Sequence, residues 1–477
     1  MDDGRSSSGS RINDGRKTSY GSRISPLNRN GPEPEMIEAF WRRASALKWN
    51  SLCEERSTSM KSINKRISNA FLAACMLCSV SVARADVVTE WNALMQQTVA
   101  VAPSNPNLQT RWGAITQLAV FEAVNSITGD YVPYIGTIVA PPGASAEAAA
   151  IVAAHNALVG LRPFSAATLT PIRDLHLSAI PDSQAKADGI AVGEAAAAAM
   201  LALRENDGWN APSTYVPGDG PGVWRPVPVG NPPTLPAPLL PGWGQVTPFG
   251  LESGSQFRLQ APPHLQTEKY ANDLNEVKLL GRVDSPFRSQ DRTDVAKVYA
   301  SASPVLVWNA PARQISVARG YSVSKNARNF ALLAMAMVDA SIAMWDTKYT
   351  YSFWRPTTAI QLADTDGNPL TEADPTWTPL INTPAHPSYA SGHASVSGAA
   401  KAVVEELFGK DGHSITVSTP AVPGVVLHYT SWDEVTNDID DARIYGGIHY
   451  RFDQEKGAHL GMQVGKYILK NHLAEAK

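Results

Sequence analysis

Residues 347–356 read Thr-Lys-Tyr-Thr-Tyr-Ser-Phe-Trp-Arg-Pro, with Lys348 and Arg355 near the two ends of the stretch. The side chains between these cations are mostly aromatic, which argues against two solvated surface charges. A guanidinium is a planar fork of donors and an ammonium is a point charge, so together they suit an anion with several oxygens. Because Pro356 follows Arg355, the sequence predicts that the helical tendency ends there and that Arg355 points into a cleft.

A second stretch, residues 386–396, reads His-Pro-Ser-Tyr-Ala-Ser-Gly-His-Ala-Ser-Val and leads into a helical pattern. The free backbone N–H groups at a helix start, with the helix dipole, form an anion site. Gly392 allows a ligand to approach the backbone closely, whereas Ser391 is either an anion ligand or an ordinary helix cap. His393, in the first turn, is placed for acid–base catalysis, although a lone histidine there is more often structural.

The third stretch, residues 443–453, reads Arg-Ile-Tyr-Gly-Gly-Ile-His-Tyr-Arg-Phe-Asp. Its two glycines predict the end of a helix, which lets His449 turn inward. Asp453 follows four residues later, within reach of His449 if the turn is helical. A carboxylate on one imidazole nitrogen fixes the tautomer and makes the other nitrogen a better ligand or nucleophile. With Arg443, the three stretches carry the side chains needed to hold a tetrahedral oxyanion and exchange protons with it.

The rest of the chain from Asp86 onward has apolar residues at helical spacing. No run alternates convincingly with period 2, so we expect an all-α fold of helical bundles with little or no β-structure. The most apolar segment, 325–345, should be central in a four-helix core formed by residues 320–473. The predicted helices cover residues 87–101, 108–126, 144–161, 185–204, 267–280, 291–301, 325–345, 393–408, 437–445 and 453–473.

Asp339 is conspicuous within the central apolar segment, because a buried carboxylate needs a partner. Two interpretations are open. It pairs with the clustered arginines, or it faces a loop or solvent.

The predicted organisation is an N-terminal helical region, residues 86–319, followed by a C-terminal core, residues 320–477, that carries the site. Between them, residues 212–248 contain eleven prolines together with Trp224 and Trp243. This segment is either a flexible linker or an ordered, extended loop at the mouth of the site. The two tryptophans favour the ordered loop, because tryptophan side chains favour burial.

Composition and charge indicate which partners and which compartment the protein is suited to. The net charge of −3 gives no sign of a nucleic-acid partner or an anionic membrane surface. All three cysteines precede residue 86, which is compatible with an oxidising compartment.

The first 85 residues read as targeting sequence rather than fold. From Met60, a basic start, a short apolar run and Ala-Arg-Ala at 83–85 follow one another, as in a secretory signal peptide. We therefore expect residues 60–85 to be the signal peptide of an exported protein, periplasmic or secreted, without a stable membrane span. Residues 1–59 are then either disordered or upstream of the true start. A lipoprotein anchored through Cys75 is the less favoured alternative.

Taken in order, Lys-x6-Arg-Pro, Ser-Gly-His and Arg-x5-His-x3-Asp resemble the superfamily of vanadium-dependent haloperoxidases and type 2 phosphatidic acid phosphatases. The resemblance covers residues 348–453. Two positions depart from the pattern, since Ala390 stands where proline is usual and Ala442 where serine is usual.

The resemblance implies an all-helical fold of two related bundles with one oxyanion pocket. His393 would be the acid–base group and would polarise the peroxide together with Lys348, while Asp453 would hold His449. His449 would be the axial vanadium ligand in a haloperoxidase or the phosphoryl-accepting nucleophile in a phosphatase. Trp345 and His386 would line the halide pocket, and a histidine at position 386 accompanies bromide rather than chloride oxidation. The oxyanion ligands would be Lys348, Arg355, Ser391, the Gly392 N–H, Arg443 and His449.

The resemblance also ranks the functions. The favoured prediction is an exported haloperoxidase that uses vanadate, hydrogen peroxide, bromide or iodide, and a small organic acceptor. The alternative is an exported acid phosphatase that acts through a phosphohistidine at His449. The third possibility is a non-catalytic oxyanion-binding protein that keeps the fold. The sequence leaves the halide preference, the organic substrate and the oligomeric state open.

Overall fold

The computed structural model describes residues 85–230 and 232–477. The predicted upstream segment, nearly all of the signal peptide and Cys75 lie outside the described residues, so these calls stay predictions. The described part contains thirteen α-helices and one two-stranded sheet, which confirms the predicted all-α class. The helices are α1 (Val87–Ala100), α2 (Pro106–Thr128), α3 (Ala146–Leu161), α4 (Ala166–Ser178), α5 (Gln184–Arg204), α6 (Glu268–Leu280), α7 (Gln290–Ser301), α8 (Pro304–Arg319), α9 (Val323–Tyr351), α10 (Pro356–Gln361), α11 (Gly392–Phe408), α12 (Trp432–Tyr445) and α13 (Arg451–Asn471).

The helix starts follow directly from the sequence. Most of the long helices begin after a Ser, Thr, Asp or Asn whose side chain accepts a hydrogen bond from a backbone N–H of the first turn. Proline occupies the first position of α2, α8 and α10, where its missing N–H costs nothing. The sequence therefore fixes the bounds of most helices to within a few residues.

Helix α9 lies at the centre of the protein, as its composition predicts. It packs against α2, α11 and α13, and nearly all of its residues from Asn326 to Lys348 are buried. By length and composition it is apolar enough to cross a membrane, but its apolar window is completely buried inside the protein. Its apolar character is therefore explained by its position in the core.

The close packing of α11 on α13 brings the second and third stretches together. Gly457, Gly461 and Gly465 form a glycine stripe along α13. A Cβ at Gly461 would lie 2.0 Å from the carbonyl oxygen of Ser395, and one at Gly465 would lie 2.5 Å from that of Ala399. Only glycine permits this approach, which places the start of α11 beside the start of α13.

Some elements differ from the sequence-based expectation. Helices α4 and α8 contain an internal proline, Pro171 and Pro311, which hid their helical pattern. Residues 411–417 and 427–431 form a β-hairpin, β1 (Asp411–Val417) and β2 (Leu427–Ser431), that supplies the small β content.

The prediction for Pro356 is wrong in one respect. Helix α9 already ends at Tyr351, where Ser352 adopts a left-handed conformation, and Pro356 begins the short helix α10. Proline is suited to a first helical position, so it starts a helix here instead of ending one.

The arginine interpretation of Asp339 is also wrong. Its carboxylate accepts hydrogen bonds from the backbone N–H groups of Phe249, Gly250 and Leu251 at 2.7, 2.7 and 2.9 Å. The loop interpretation is therefore correct, although the side chain is fully buried.

The proline-rich segment packs on helix α9. Trp224 and Trp243 are buried, and Trp243 Nε1 donates to Ser341 Oγ at 3.1 Å. Leu239 accepts hydrogen bonds through its carbonyl oxygen from Trp345 Nε1 at 3.3 Å and from the Tyr349 hydroxyl at 2.8 Å. These contacts place Leu239 at the edge of the cavity that forms the candidate active site.

Candidate active site

A cavity of about 540 Å³ opens where the three sequence stretches meet. Six of the predicted site residues line it, and the other four lie buried directly behind this wall or are hydrogen-bonded to it. The structure thus brings all ten together. The lining residues among them are Trp345, His386, Gly392, His393, Arg443 and His449, and those behind are Lys348, Arg355, Ser391 and Asp453.

The first stretch holds its two cations by backbone carbonyls. Lys348, in the last turn of α9, donates through Nζ to the carbonyl oxygens of Pro387 and Ser388 at 2.8 and 2.7 Å. Arg355 donates through Nε to the carbonyl oxygen of His386 and through Nη1 to that of Ile448, both at 2.8 Å. The first stretch therefore ties the second and third stretches together.

The second stretch starts helix α11 at the cavity wall. The Ser391 hydroxyl oxygen accepts from the Ala394 N–H at 3.4 Å, so Ser391 does cap the helix. Its backbone N–H donates to the carbonyl oxygen of Asp453 at 3.0 Å, which joins α11 to the third stretch. Gly392 follows at the first helical position, and a Cβ there would lie 3.1 Å from Cε of Met344. A helix start thus faces the cavity, and its first N–H groups have no partner within the helix.

The third stretch turns as its glycines predict. Helix α12 ends at Tyr445, and Gly447 adopts a positive φ of 78°. This turn places His449 in the cavity wall, two residues before α13 begins. His449 Nδ1 lies 2.7 Å from Oδ2 of Asp453, in the first turn of α13.

These contacts define the tautomer of His449. A carboxylate oxygen accepts, so Nδ1 carries the proton and Nε2 keeps its lone pair. Nε2 lies 3.1 Å from Arg355 Nη1, which donates to it. Burial and the neighbouring cation Arg355 hold the pKa of His449 well below its usual value. The imidazole is therefore neutral, which is the form required of a ligand or nucleophile.

Three buried cations surround this imidazole. Lys348 and Arg355 are 0% exposed and Arg443 is 4% exposed, while one carboxylate, Asp453, faces them within the part of the chain that the structure describes. Burial lowers the pKa of Arg355 to about 10 and that of Arg443 to about 9, and the pKa of Lys348 falls well below 10.5 through burial and repulsion by Arg355. Such an excess of buried positive charge is costly unless an anion compensates it.

The hydrogen bonds of Arg443 also indicate that an anion is needed in the site. Its Nη1 donates to the carbonyl oxygen of Tyr299 at 3.1 Å, whereas its buried Nε has no partner among the described residues. A buried guanidinium with a free N–H at a cavity wall suits the oxygens of a bound anion. The residues present therefore fit an oxyanion such as vanadate or phosphate.

His393 is placed to exchange protons with that anion. Its Nε2 lies 3.1 Å from the carbonyl oxygen of Tyr299, and because a carbonyl only accepts, Nε2 carries the proton. Nδ1 is then free to act as a base. Burial and Arg443 hold the pKa of His393 well below its usual value, so the ring is neutral at physiological pH.

The predicted halide pocket is a contact between two rings. The centroids of Trp345 and His386 lie 4.7 Å apart, with their planes tilted by 42°. Arg355 Nη2 lies 3.0 Å from Nδ1 and 3.4 Å from Nε2 of His386, and Nδ1 also lies 3.2 Å from the carbonyl oxygen of Pro387. Burial and the charge of Arg355 keep the pKa of His386 well below its usual value. The pocket thus combines an indole with a neutral imidazole held by a cation.

Two groups that contribute to the site cannot be recognised from the sequence. The Ser388 hydroxyl donates to Asp453 Oδ2 at 2.6 Å, and the carbonyl of Tyr299 orients both His393 and Arg443. Ser388 lies inside the second stretch, but a serine in a loop carries no signal of its own. Tyr299 belongs to α7, and a backbone carbonyl cannot be recognised from the residue type.

Comparisons with known proteins find similar sequences and folds. Residues 328–475 match the family model of the VCPO second helical-bundle domain. A vanadium chloroperoxidase from Curvularia inaequalis is 30% identical over 173 residues, which is 27% of this chain and 28% of that protein. The chain therefore spans less than a third of the length of that relative in the alignment.

Solved structures share the fold over most of the described chain. A bacterial vanadium-dependent iodoperoxidase superimposes with a TM-score of 0.70 and 24% identity, covering 82% of this chain and 97% of that one. A bacterial vanadium-dependent chloroperoxidase in its holo form superimposes with a TM-score of 0.67 and 18% identity, covering 82% and 98%. At such identities the likeness shows the fold. Together, these matches confirm the resemblance that the three stretches indicate.

Proposed function

We propose that this chain, which belongs to the vanadium haloperoxidases by its C-terminal helical-bundle domain, is an exported vanadium-dependent enzyme that oxidises bromide or iodide with hydrogen peroxide. One observation carries the proposal. A neutral imidazole, His449, lines a cavity together with Arg443, and two further buried cations, Lys348 and Arg355, and the carboxylate of Asp453 lie directly behind that wall. This arrangement suits a tetrahedral oxyanion that is also bound by one nitrogen ligand.

The residues that would hold vanadate are already in place. His449 Nε2 would be the nitrogen ligand, and the oxygens would be bound by Lys348, Arg355, Arg443, Ser391 and the Gly392 N–H. When bound, vanadate supplies the Lewis acid that activates hydrogen peroxide toward a halide.

The chain's own residues contribute binding and proton transfer. The three buried cations compensate the charge of the oxyanion in a site sheltered from water, where electrostatic stabilisation is strong. Asp453 fixes the His449 tautomer, so Nε2 carries the lone pair that a ligand nitrogen needs once Arg355 Nη1 turns to the anion. His393 Nδ1 is the base that accepts a proton from incoming hydrogen peroxide, and it returns a proton to the departing oxygen.

The preference for bromide or iodide rests on the ring pair. His386 and Trp345 form a polarisable surface beside Arg355. Large, weakly hydrated halides lose little hydration free energy on entering such a surface, in contrast to chloride. Export rests on the signal-peptide pattern from Met60, and mass spectrometry of the N-terminus of the exported protein tests it. An N-terminus upstream of Met60 would contradict it.

A phosphatase is the second candidate, because the same geometry serves phosphoryl transfer. His449 Nε2, with Asp453 behind it, is arranged as a nucleophile, and His393 is placed to protonate a leaving group. A non-catalytic oxyanion-binding protein is less consistent with the site, because it has no use for a neutral imidazole base beside the anion.

One pair of assays separates these functions. The full chain is incubated with orthovanadate, hydrogen peroxide and bromide, and bromination of a dione reporter is followed. In parallel, hydrolysis of a chromogenic phosphate ester is followed without vanadate. We expect turnover in the first assay, and turnover only in the second would overturn the proposal.

Two variants locate the chemistry. His449→Ala should abolish whichever activity is present, because it removes the ligand or nucleophile. His428→Ala is the matched control, since His428 is exposed on strand β2. Full activity in His449→Ala would show that the site is assigned wrongly.

A further inference from the structure

One backbone carbonyl, that of Tyr299, holds two side chains of the candidate site. It accepts hydrogen bonds from His393 Nε2 and from Arg443 Nη1, both at 3.1 Å. Tyr299 lies in the last turn of α7, where a carbonyl oxygen has no partner within the helix. The oxygen also carries part of the negative end of the helix dipole, which favours donors and cations beside it. The position of Tyr299 therefore determines the hydrogen bonds of His393.

The side chain of Tyr299 is anchored outside its own helix. Its hydroxyl lies 2.9 Å from the hydroxyl of Tyr429 on β2, and the Tyr429 hydroxyl lies 2.9 Å from Oδ2 of Asp438 on α12. Because a carboxylate only accepts, Tyr429 donates to Asp438, and Tyr299 then donates to Tyr429. Burial raises the pKa of both hydroxyls, so both keep their protons. Tyr299, Tyr429 and Asp438 thus form a hydrogen-bond relay with a single direction, called the tyrosine relay below.

The far end of the tyrosine relay returns to α7. Asp438 accepts through Oδ1 from Arg292 Nη1 at 2.6 Å, and Arg292 lies in the first turn of α7. Helix α7 is thereby held at both ends, and it packs directly on α12, which carries Arg443. Tyr299 is 1% exposed, so removal of the Tyr429 hydroxyl leaves a buried donor without this partner. The end of α7 should then shift.

We propose that Tyr299, Tyr429 and Asp438 are positioning residues that fix the neutral tautomer of His393 and keep its Nδ1 free as the base. The other tautomer would set the lone pair of Nε2 against the oxygen of the Tyr299 carbonyl. None of the three residues lines the cavity, so they act only through the groups that this carbonyl holds. This inference rests on the proposed function, since it assigns positioning residues to the same site.

The same hydrogen bond makes His393 a stronger base. Burial, Arg443, Lys348 and Arg355 lower the pKa of His393, whereas its hydrogen bond to the Tyr299 carbonyl raises it. His386 is a further titratable neighbour of His393. None of these four side chains belongs to the tyrosine relay. A change in the relay should therefore reach His393 through the position of the Tyr299 carbonyl.

The tautomer is tested first, in vanadate-free protein. The full chain is labelled with ¹⁵N-histidine, and the ring nitrogens of His393 are assigned from the signals that disappear in His393→Gln. The wild type should show two well-separated shifts, one for a protonated and one for an unprotonated nitrogen. In Tyr429→Phe and in Tyr299→Phe the two shifts should approach each other, because both tautomers become populated. Each variant removes one hydroxyl of the relay, so unchanged shifts in either folded variant would overturn the proposal.

Tyr134→Phe is the matched control for lost stability. The Tyr134 hydroxyl donates to the carbonyl oxygen of Phe249 at 2.8 Å, and Tyr134 lies in the loop after α2, outside the relay. Its His393 shifts should therefore match those of the wild type. If the shifts also approach each other in Tyr134→Phe, general loosening of the fold controls the tautomer and the proposal is wrong. Circular dichroism verifies that each variant is folded.

Turnover separates this inference from the proposed function. With saturating orthovanadate and hydrogen peroxide, kcat for iodide oxidation should fall roughly tenfold in Tyr429→Phe, because the base is less well positioned. KM for iodide should stay near the wild-type value, since the relay does not reach the cavity wall. An unchanged kcat, or a change confined to KM, would overturn the inference. If the wild type oxidises no halide, the proposed function fails, and the ¹⁵N shifts still decide whether the relay fixes His393.

Discussion

His449 Nδ1 lies 2.7 Å from Asp453 Oδ2, and this contact determines which imidazole nitrogen faces the cavity. Asp453 is itself held by the Ser388 hydroxyl at 2.6 Å and by the Tyr450 N–H at 3.3 Å. The Asp453 carboxylate thus links His449 to the loop that carries Ser388 and to the start of α13. These two elements therefore determine the position of His449 Nε2, the candidate ligand nitrogen. Removing any member of this chain should change how the site responds to pH.

Ser388→Ala tests this chain of contacts. Burial raises the pKa of Asp453, and the Ser388 hydrogen bond opposes the rise. Without the hydroxyl the pKa should rise further, so the acid limb of the pH–activity profile should move toward higher pH. Activity at mildly acidic pH should fall roughly tenfold, as expected for a lost hydrogen bond to a charged group. The measurement is the full pH profile of halide oxidation.

Ser316→Ala is the matched control for Ser388→Ala. Ser316 is equally buried, has no hydrogen-bond partner among the described residues and lies on α8. Its replacement should leave the acid limb in place. If Ser388→Ala lowers activity evenly at every pH, the hydroxyl does not act through the protonation of Asp453.

Arg443→Met separates ligand binding from stability. The guanidinium is buried, donates one hydrogen bond and repels Arg355, so removing it should not lower the melting temperature of the anion-free protein. Activity should nevertheless fall roughly 100-fold, because one cation that stabilises the oxyanion is lost. Thermal unfolding with and without orthovanadate tests both parts. A lower melting temperature together with normal vanadate binding would assign Arg443 a purely structural role.

Lys348 should make oxyanion binding depend on pH. Burial, followed by repulsion from Arg355, holds its pKa well below 10.5. Between this lowered pKa and 10.5 the folded protein binds fewer protons than the unfolded chain, so the anion-free protein gains stability as pH rises through this window. A bound anion favours the protonated amine and reverses this trend. Anion binding should therefore weaken as pH rises.

Sulfate is a suitable probe for this effect, because its charge stays constant over the range. The sulfate-induced rise in melting temperature should shrink from about pH 7 to about pH 10. Lys348→Met should show a smaller rise with a weaker decline, which includes the general stabilisation by sulfate and the loss of charge at Arg443 and Arg355, whose pKa values are about 9 and about 10. A wild-type rise that stays constant over this range would contradict the assignment.

His386→Phe tests the halide pocket. Arg355 Nη2 lies within hydrogen-bond distance of both ring nitrogens of His386, and phenylalanine leaves that N–H without this partner. The freed positive charge should favour the small, more strongly hydrated chloride. The ratio of chlorination to bromination should therefore rise. His386→Gln retains an acceptor and should stay near the wild-type ratio, so equal ratios in the two variants would exclude this role.

The sequence predicts the parts of the site that depend on local spacing. His449 and Asp453 are four residues apart, and the Gly446–Gly447 break is visible in the residue types. Ser391 shows the limit of this approach, because the sequence left a cap and an anion ligand as alternatives and the structure shows the cap.

Contacts between distant elements are not predictable in this way. Tyr299 reaches His393 and Arg443 through a backbone carbonyl, which has no residue-type signal. Part of the cavity lining, Asn107 and Thr110, comes from a helix more than 200 residues before the first site stretch. For the same reason the sequence left the partner of Asp339 open between the arginines and a loop, since three consecutive backbone N–H groups in a loop resemble any other loop.

Asp339 offers a test of the core beneath the site. Asp339→Ala would leave the N–H groups of Phe249, Gly250 and Leu251 buried without an acceptor, which costs about 1–3 kcal/mol for each. The free energy of unfolding should therefore fall by about 3 kcal/mol or more. Asp339→Asn keeps one acceptor oxygen and should lose less.

Denaturant unfolding of both variants measures this difference, with Asp364→Ala as the exposed control. Because Asp339 lies on the same helix as Trp345 and Lys348, the two variants should also differ in vanadate affinity if the loop holds the helix in register. Equal stability of Asp339→Ala and the control would show that water or a shifted loop satisfies these N–H groups, and that the carboxylate does not hold the loop to α9.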